Sequence, residues 1–346
     1  MVPLIDLARR TAALRPELDA AIERVLASGR FLLGPELDAF EAELAARVGQ
    51  RHAIGVASGT AALSLALRAL GIGPGDEVVV PAFTAVPTAA AVCAIGAVPV
   101  PVDVDPATAA IDPHAARSAL GPRSRAVVVV HLYGRPAEEA LAELAALGLP
   151  IVEDAAQAHG ALAGPRPSAA VAYSFYPTKN LGGIGDGGAV VTDDHRLAAE
   201  VRLLRNHGMT GAYVHERIAT NARLSELSAA ALRVGLPRLE ADNRRRRDIV
   251  ARQRAAAPGA RWHADHPRHV HHLSVLRVPD RDAFRARVPF ATAVHYPLAL
   301  TRQPAYAAFA RRPCPEAEAW AAECVTVPCF PEMTEEEVRE VCEGLR

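Results

Sequence analysis

Residues Ala172–Asp194 read AYSFYPTKNLGGIGDGGAVVTDD, two apolar strands joined by a turn that carries Lys179. The leading run, Ala169 to Phe175, has strand character, and Pro177 stops it. The trailing strand is Ala189 to Thr192. A lysine on a tight turn between apolar strands sits at the buried edge of a sheet, where desolvation lowers its pKa and frees the amine as a nucleophile. A lone loop lysine is ordinarily a solvated charge, so the residues around it have to decide. The glycines at 183, 185 and 188 spell GxGxxG, but a dinucleotide fingerprint follows a strand and opens a helix. Here they follow Lys-Asn-Leu and open a strand, which speaks against a nucleotide site.

Upstream of this stretch strands and helices alternate. Strands are expected at Ala53–Ala57, Val78–Val80, Val98–Val104, Ala126–Val130 and Ile151–Glu153. Helices are expected at 14–28, Pro35–Val48, Ser58–Leu70, Val86–Ile95, Pro113–Leu120 and Glu138–Leu147. That alternation means βαβ crossovers and an α/β fold with a mostly parallel sheet. Helical character resumes at Arg196–Leu204 and from Ser225 to about Arg254, followed by strands near Leu273–Val278 and Thr292–His295. The expected division is a large domain over 1–235 and a smaller C-terminal α/β domain over 236–346.

Composition narrows the classes. The chain has 346 residues, half of them hydrophobic, enough for a substantial core. A formal charge of −1 implies no nucleic-acid partner, and the one basic run, Arg244–Arg247, points around most of a helix instead of forming a stripe. No apolar segment approaches the roughly 18 residues of a membrane span, and the start MVPLIDLARR lacks a signal-peptide core. Cys93, Cys314, Cys324, Cys329 and Cys342 have no CxxC spacing and read as free thiols of a cytoplasmic protein.

Two further features fall at the carboxyl ends of strands, where such sheets bind ligands. In Ser58-Gly59-Thr60, Gly59 permits close approach, and the amides of Thr60 and Ala61 with the Thr60 hydroxyl face an anion at a helix N-terminus. Ordinary N-capping explains the same residues. In Glu153-Asp154-Ala155-Ala156-Gln157, Asp154 is placed to hold a protonated ring nitrogen and Gln157 to bond a phenolic oxygen, although an Asp there also caps a helix. Ser174 precedes the lysine and can donate to the same phosphate. A phosphate anchor, a carboxylate and a lysine in that order favour pyridoxal 5'-phosphate held as a Schiff base, because that ring is an electron sink only when its nitrogen is cationic.

With VASGTAAL, GIGPGDEVVVPAFT, EDAAQAHGA, SFYPTKNLGGIGDGGAVVT, NARLSELSAA, VHYPLA and VPCFPEMTEEEV, the chain resembles the DegT/DnrJ/EryC1/StrS family of sugar aminotransferases over nearly its whole length. The resemblance implies the aspartate aminotransferase (type I) fold. It makes Lys179 the Schiff-base lysine and acid/base, Asp154 the ring-nitrogen partner, Gln157 the phenolate contact, and Thr60, Ala61 and Ser174 the phosphate anchors. Asn221 matches an asparagine that reaches a neighbouring subunit's phosphate, implying a homodimer with shared sites. Arg30-Phe31 and His295-Tyr296 fall where relatives line the sugar-nucleotide cleft. Ala85 replaces an aromatic that stacks on the cofactor, and Thr220 replaces a glycine. The implied reaction moves an amino group from glutamate or glutamine to a keto-sugar nucleotide. A cyclitol acceptor, or a cofactor-binding regulator without turnover, are the other readings.

The histidines His263, His266, His269, His271 and His272 invite a metal-site reading. They have no cysteine or paired carboxylate in sequence to complete a shell, so loop and packing histidines are expected and no metal. His269 and His271 should share one strand face, and His272 the other.

Overall fold

The computed structural model describes residues 1–346. A seven-stranded sheet organises the chain: β1 (His52–Val56), β2 (Glu77–Pro81), β3 (Val98–Val102), β4 (Ser124–Val130), β5 (Ile151–Asp154), β6 (Ala170–Ser174) and β7 (Gly188–Thr192). Their order is β1-β7-β6-β5-β4-β2-β3. All neighbours are parallel except β7, which runs antiparallel to both β1 and β6. β7 is antiparallel because a tight turn, and not a crossover helix, joins it to β6.

The strands are near-continuous apolar runs because both sheet faces are covered. Val78, Val80, Val128 and Val130 face one core with Leu63, Leu67 and Val92 from the helices Gly59–Ala69 and Pro87–Ala94. Val79, Val127 and Val129 face the opposite one, under the helices Pro113–Ala119 and Glu138–Ala145. Each such fully buried valine contributes roughly 1.5–3 kcal/mol over an exposed one. The helix Pro35–Val48 begins on its proline and ends where Gly49 turns left-handed at φ 68°.

Three expectations need correction. A helix at Leu7–Ala13 precedes the expected one, which runs Arg15–Ser28. The long helix breaks into Glu226–Gly235 and Leu239–Ala256 at a short 3₁₀ turn, because Pro237 cannot continue an α-helix. Residues 292–295 form no strand; only Ala293 bridges to Thr326. Three short strands, β10 (Arg261–Trp262), β11 (Ser274–Arg277) and β12 (Cys324–Val327), make a second sheet after the hairpin β8 (Met209–Gly211) and β9 (Val214–His215). β11 and β12 share a second core with Val2, Ile249, Val250, Phe330 and Val338. Trp320 and Ala317 instead face the first core, so residues 299–324 lean on the large sheet.

Candidate active site

The carboxyl ends of β1, β2, β4, β5 and β6 converge on a cavity of about 400 Å³. Gly59, Thr60, Thr84, Ala85, His131, Asp154, Gln157, Ser174, Lys179 and Tyr296 are in its lining. Lys179 stands on a turn closed by its own amide to the Tyr176 carbonyl at 2.8 Å and by Gly183 to the Phe175 carbonyl at 2.8 Å. From the helix Leu7–Ala13, Arg10 braces that turn, donating to the carbonyls of Pro177 (3.3 Å), Lys179 (3.2 Å) and Gly182 (3.2 Å). Burial brings the Lys179 amine down to about 8.

Asp154 ends β5 and points into the cavity, while Glu153 points to the opposite face. The two carboxyls meet opposite environments. Burial opposes ionisation of Glu153, but His131 at 2.8 Å and Arg166 at 2.6 Å hold it down at about 2. Burial pushes Asp154 up, against the Thr88 hydroxyl at 2.8 Å, the Ala156 amide at 3.1 Å and the more distant charges of Lys179 and His131. No arginine or histidine pairs with Asp154 in the way that both do with Glu153. An acid so placed is suited to a cationic partner brought in by a ligand.

At the opposite wall Ser58 caps the helix Gly59–Ala69, and its hydroxyl accepts from the Ala61 amide at 3.1 Å. The Ala61 amide is engaged by the cap and lies outside the lining, whereas the amides of Gly59 and Thr60 keep no intrahelical partner. A Cβ on Gly59 would come 2.6 Å from the Ser174 Cβ, so only glycine lets the helix start meet the end of β6. Gln157 is held from both sides: its Oε1 accepts from the Tyr133 amide at 2.6 Å and its Nε2 donates to the Tyr296 hydroxyl at 2.9 Å.

The profile of the DegT/DnrJ/EryC1/StrS aminotransferase family matches residues 13–346. The chain belongs to this family. It is 46% identical, across 100% of its length and 95% of the relative's, to the dTDP-3-amino-3,4,6-trideoxy-alpha-D-glucose transaminase of Streptomyces venezuelae. Among solved structures it resembles S. venezuelae DesV in complex with a ketimine intermediate, at TM-score 0.95 and 45% identity over 100% of this chain and 97% of that one. It also resembles NtdA from Bacillus subtilis with bound cofactor PMP, at TM-score 0.91 and 28% identity over 99% and 84%. The protein is an aminotransferase of this family's fold.

Not every residue expected at this aminotransferase's site reaches the cavity. Asn221 is exposed, its Oδ1 accepting from Arg223 Nε at 3.0 Å. Arg30 and Phe31 are exposed and outside the lining, Arg30 donating to the Leu33 carbonyl at 3.0 Å. Tyr296 lines the cavity, its hydroxyl pushed up to about 12 by burial. His295 turns behind it, Nδ1 at 2.8 Å from the Thr326 hydroxyl, and burial holds the ring down at about 4.

Reading the sequence alone missed Thr84 and Thr88, whose hydroxyls lie 3.0 Å apart and lead to Asp154. Their i, i+4 spacing just past β2 was the available signal. It also missed His272, whose Nε2 is 3.5 Å from Lys179 Nζ. Of the other histidines, His269 Nδ1 and His271 Nε2 approach one oxygen of Asp265, at 3.6 and 3.7 Å. That carboxylate lies within the histidine run itself, four residues before His269. The two rings are tilted by 31° with centroids 3.7 Å apart, and one ligand atom from each of Asp265, His269 and His271 lies within 4.8 Å of the others, the spacing of a possible metal-holding group. The segment is a loop, not a strand; His271 adopts φ 41°, and His272 turns away toward Lys179.

Proposed function

We propose that this aminotransferase is pyridoxal-phosphate dependent and moves an amino group from glutamate or glutamine to a keto-sugar carried on a nucleoside diphosphate. The observation that carries the cofactor reading is Asp154: a buried carboxylate without a cation of its own, across one cavity from a lysine whose amine burial has weakened. The Gly59–Ser174 approach, which a single Cβ would fill, supports a phosphate beside the free amides of Gly59 and Thr60. When bound, the cofactor supplies an electron sink for breaking bonds at the carbon that bears nitrogen.

The chain's own residues do the rest. Gly59, Thr60 and Ser174 seat the phosphate, Asp154 keeps a proton on the ring nitrogen, and Gln157 orients the ring edge. Lys179 takes a proton from the donor's Cα and, in the other direction, returns one to the sugar carbon. Ala85 leaves one ring face without an aromatic. A nucleotide-sugar acceptor is favoured over a cyclitol by the activity named for the Streptomyces relative. We read the exposed apolar residues Phe31, Leu32, Tyr213 and Ile218, on segments around Asn221, as the face of a homodimer. A small domain beginning near 236 is supported by its separate core.

The test is an absorbance titration of the cofactor-loaded protein. L-Glutamate should replace the visible band by a near-ultraviolet one with release of 2-oxoglutarate, and a keto-sugar nucleotide should restore it. A band unmoved by glutamate and by glutamine overturns the reading.

A further inference from the structure

A second cavity, of about 220 Å³, lies behind the first. Gln157, Tyr176, Lys179 and Tyr296 are common to both linings, so the lysine amine stands at the wall between them. The second chamber is lined also by Ile5, Arg246, His272, His295 and Thr326, and by no acidic side chain. Its size decides what can enter. At about 30 Å³ per water it holds the equivalent of roughly seven waters, below the range of about 300–1,000 Å³ typical of drug-sized ligands. A nucleoside-diphosphate sugar does not fit; a short amino acid does.

Arg246 gives the chamber its chemistry. It is only 4% exposed. Its Nη1 donates to three backbone carbonyls, those of Cys329, His271 (3.5 Å) and His272 (3.5 Å), which fix the guanidinium in place. Nε has no partner, and Nη2 donates to no protein group. A guanidinium N–H left without a protein acceptor can donate a charge-assisted hydrogen bond to a carboxylate. Glu332 feels the charge of Arg246 but forms no ion pair with it, and burial pushes its carboxyl up. A buried guanidinium that keeps donors free, in a chamber without acids, is suited to an anion.

We propose that this chamber seats the amino donor, with a carboxylate of the donor held by the Arg246 guanidinium and its amine directed at the wall shared with Lys179. The sugar acceptor then uses the larger cavity, and the two substrates are distinguished by chamber. The His272 and His295 rings, facing the same space, supply neutral imidazoles, so they add no competing cation. This assignment rests on the aminotransferase reading above.

The test separates the two half-reactions. The cofactor-loaded protein is mixed with L-glutamate alone in a stopped-flow spectrometer, and glutarate is used as an unreactive competitor. Arg246→Gln should weaken glutamate and glutarate by about 10- to 100-fold, the worth of a charge-assisted pair, with cofactor content and acceptor KM unchanged. Because Arg246 also ties backbone carbonyls, Ile5→Trp provides an independent arm: it fills the chamber from the N-terminal segment without touching the arginine, and should weaken the donor alone. Wild-type donor affinity in Ile5→Trp, or equal loss on both substrates in both variants, overturns the proposal. A wild-type protein that ignores glutamate and glutamine overturns the aminotransferase reading itself, a different outcome from a responsive wild type with indifferent variants.

Discussion

Lys179 Nζ lies 3.5 Å from His272 Nε2, and the far nitrogen of that ring is 3.1 Å from Asn180 Oδ1. Asn180 in turn donates to Asn243 Oδ1 at 2.8 Å and to the Val270 carbonyl at 3.0 Å. Because the Asn180 amide nitrogen is fully used as a donor, its oxygen faces the ring and assigns the proton to Nδ1. His272 then presents a lone pair to the lysine. The lysine therefore sits between a proton acceptor on one side and the Asp154 carboxylate across the cavity, inside a site that disfavours its charge.

Replacing Lys179 by Ala should lower transamination by at least about 10³-fold, within the range an acid/base contributes. Product formation from glutamate and a keto-sugar nucleotide is the assay. Turnover near wild type in a preparation free of wild-type enzyme would remove Lys179 from the mechanism.

The depressed lysine also has a thermodynamic signature. Its folded-state pKa of about 8 lies below the reference value of 10.5. Below pH 8 the amine is protonated in both states, and folding carries the full cost of burying an ammonium, up to about 3 kcal/mol. Between 8 and 10.5 only the unfolded chain keeps the proton, so stability from this group rises with pH and the cost is gone above that window. Apo Lys179→Met should melt above the apo wild type at pH 7, with the gap closing by pH 10.5. A gap independent of pH would show that the amine is not desolvated.

Asp154→Asn should leave the cofactor bound while slowing both half-reactions by about 10²-fold or more, since a neutral amide cannot hold the ring-nitrogen proton. Thr88→Val, which removes the hydroxyl at 2.8 Å from Asp154, should act in the same direction by about 10-fold and raise the carboxyl further. Equal rates for Thr88→Val and wild type across the pH range would show that this hydrogen bond does not tune Asp154.

Much of this site was legible because its parts are local. A glycine entering a helix, a carboxylate ending a strand and a lysine on a strand–turn–strand each carry their own pattern, and the alternating valines of β2 and β4 place them on one sheet edge. What stayed hidden depends on distant segments meeting. His272 is 93 residues from Lys179, and no period links them. Arg246 reads in sequence as one of four solvated arginines, yet it turns inward while Arg245 and Arg247 pair with Asp248 and Glu240 on the surface. At Ala61 the reason is local: the Ser58 hydroxyl takes up the amide that the sequence also offers to a phosphate.

Asn221 offers the sharpest test of shared sites. It is exposed, outside its own chain's cavity, on a segment beside the exposed Ile218 and Tyr213. If its amide serves the partner's phosphate, a dimer of one Lys179→Ala chain and one Asn221→Ala chain contains one ruined site and one wholly native site. The ruined site lacks both residues, because each chain contributes its defect to the same place. Two separately inactive variants, unfolded together and refolded as a mixture, should then recover about a quarter of wild-type activity, since random pairing makes about half the dimers mixed and each mixed dimer has one good site of two. If Asn221 instead acts within its own chain, every site in the mixture lacks one residue and no activity returns. Absence of recovery in a mixture proven to contain mixed dimers therefore assigns Asn221 to its own subunit and removes the dimer from the site's chemistry.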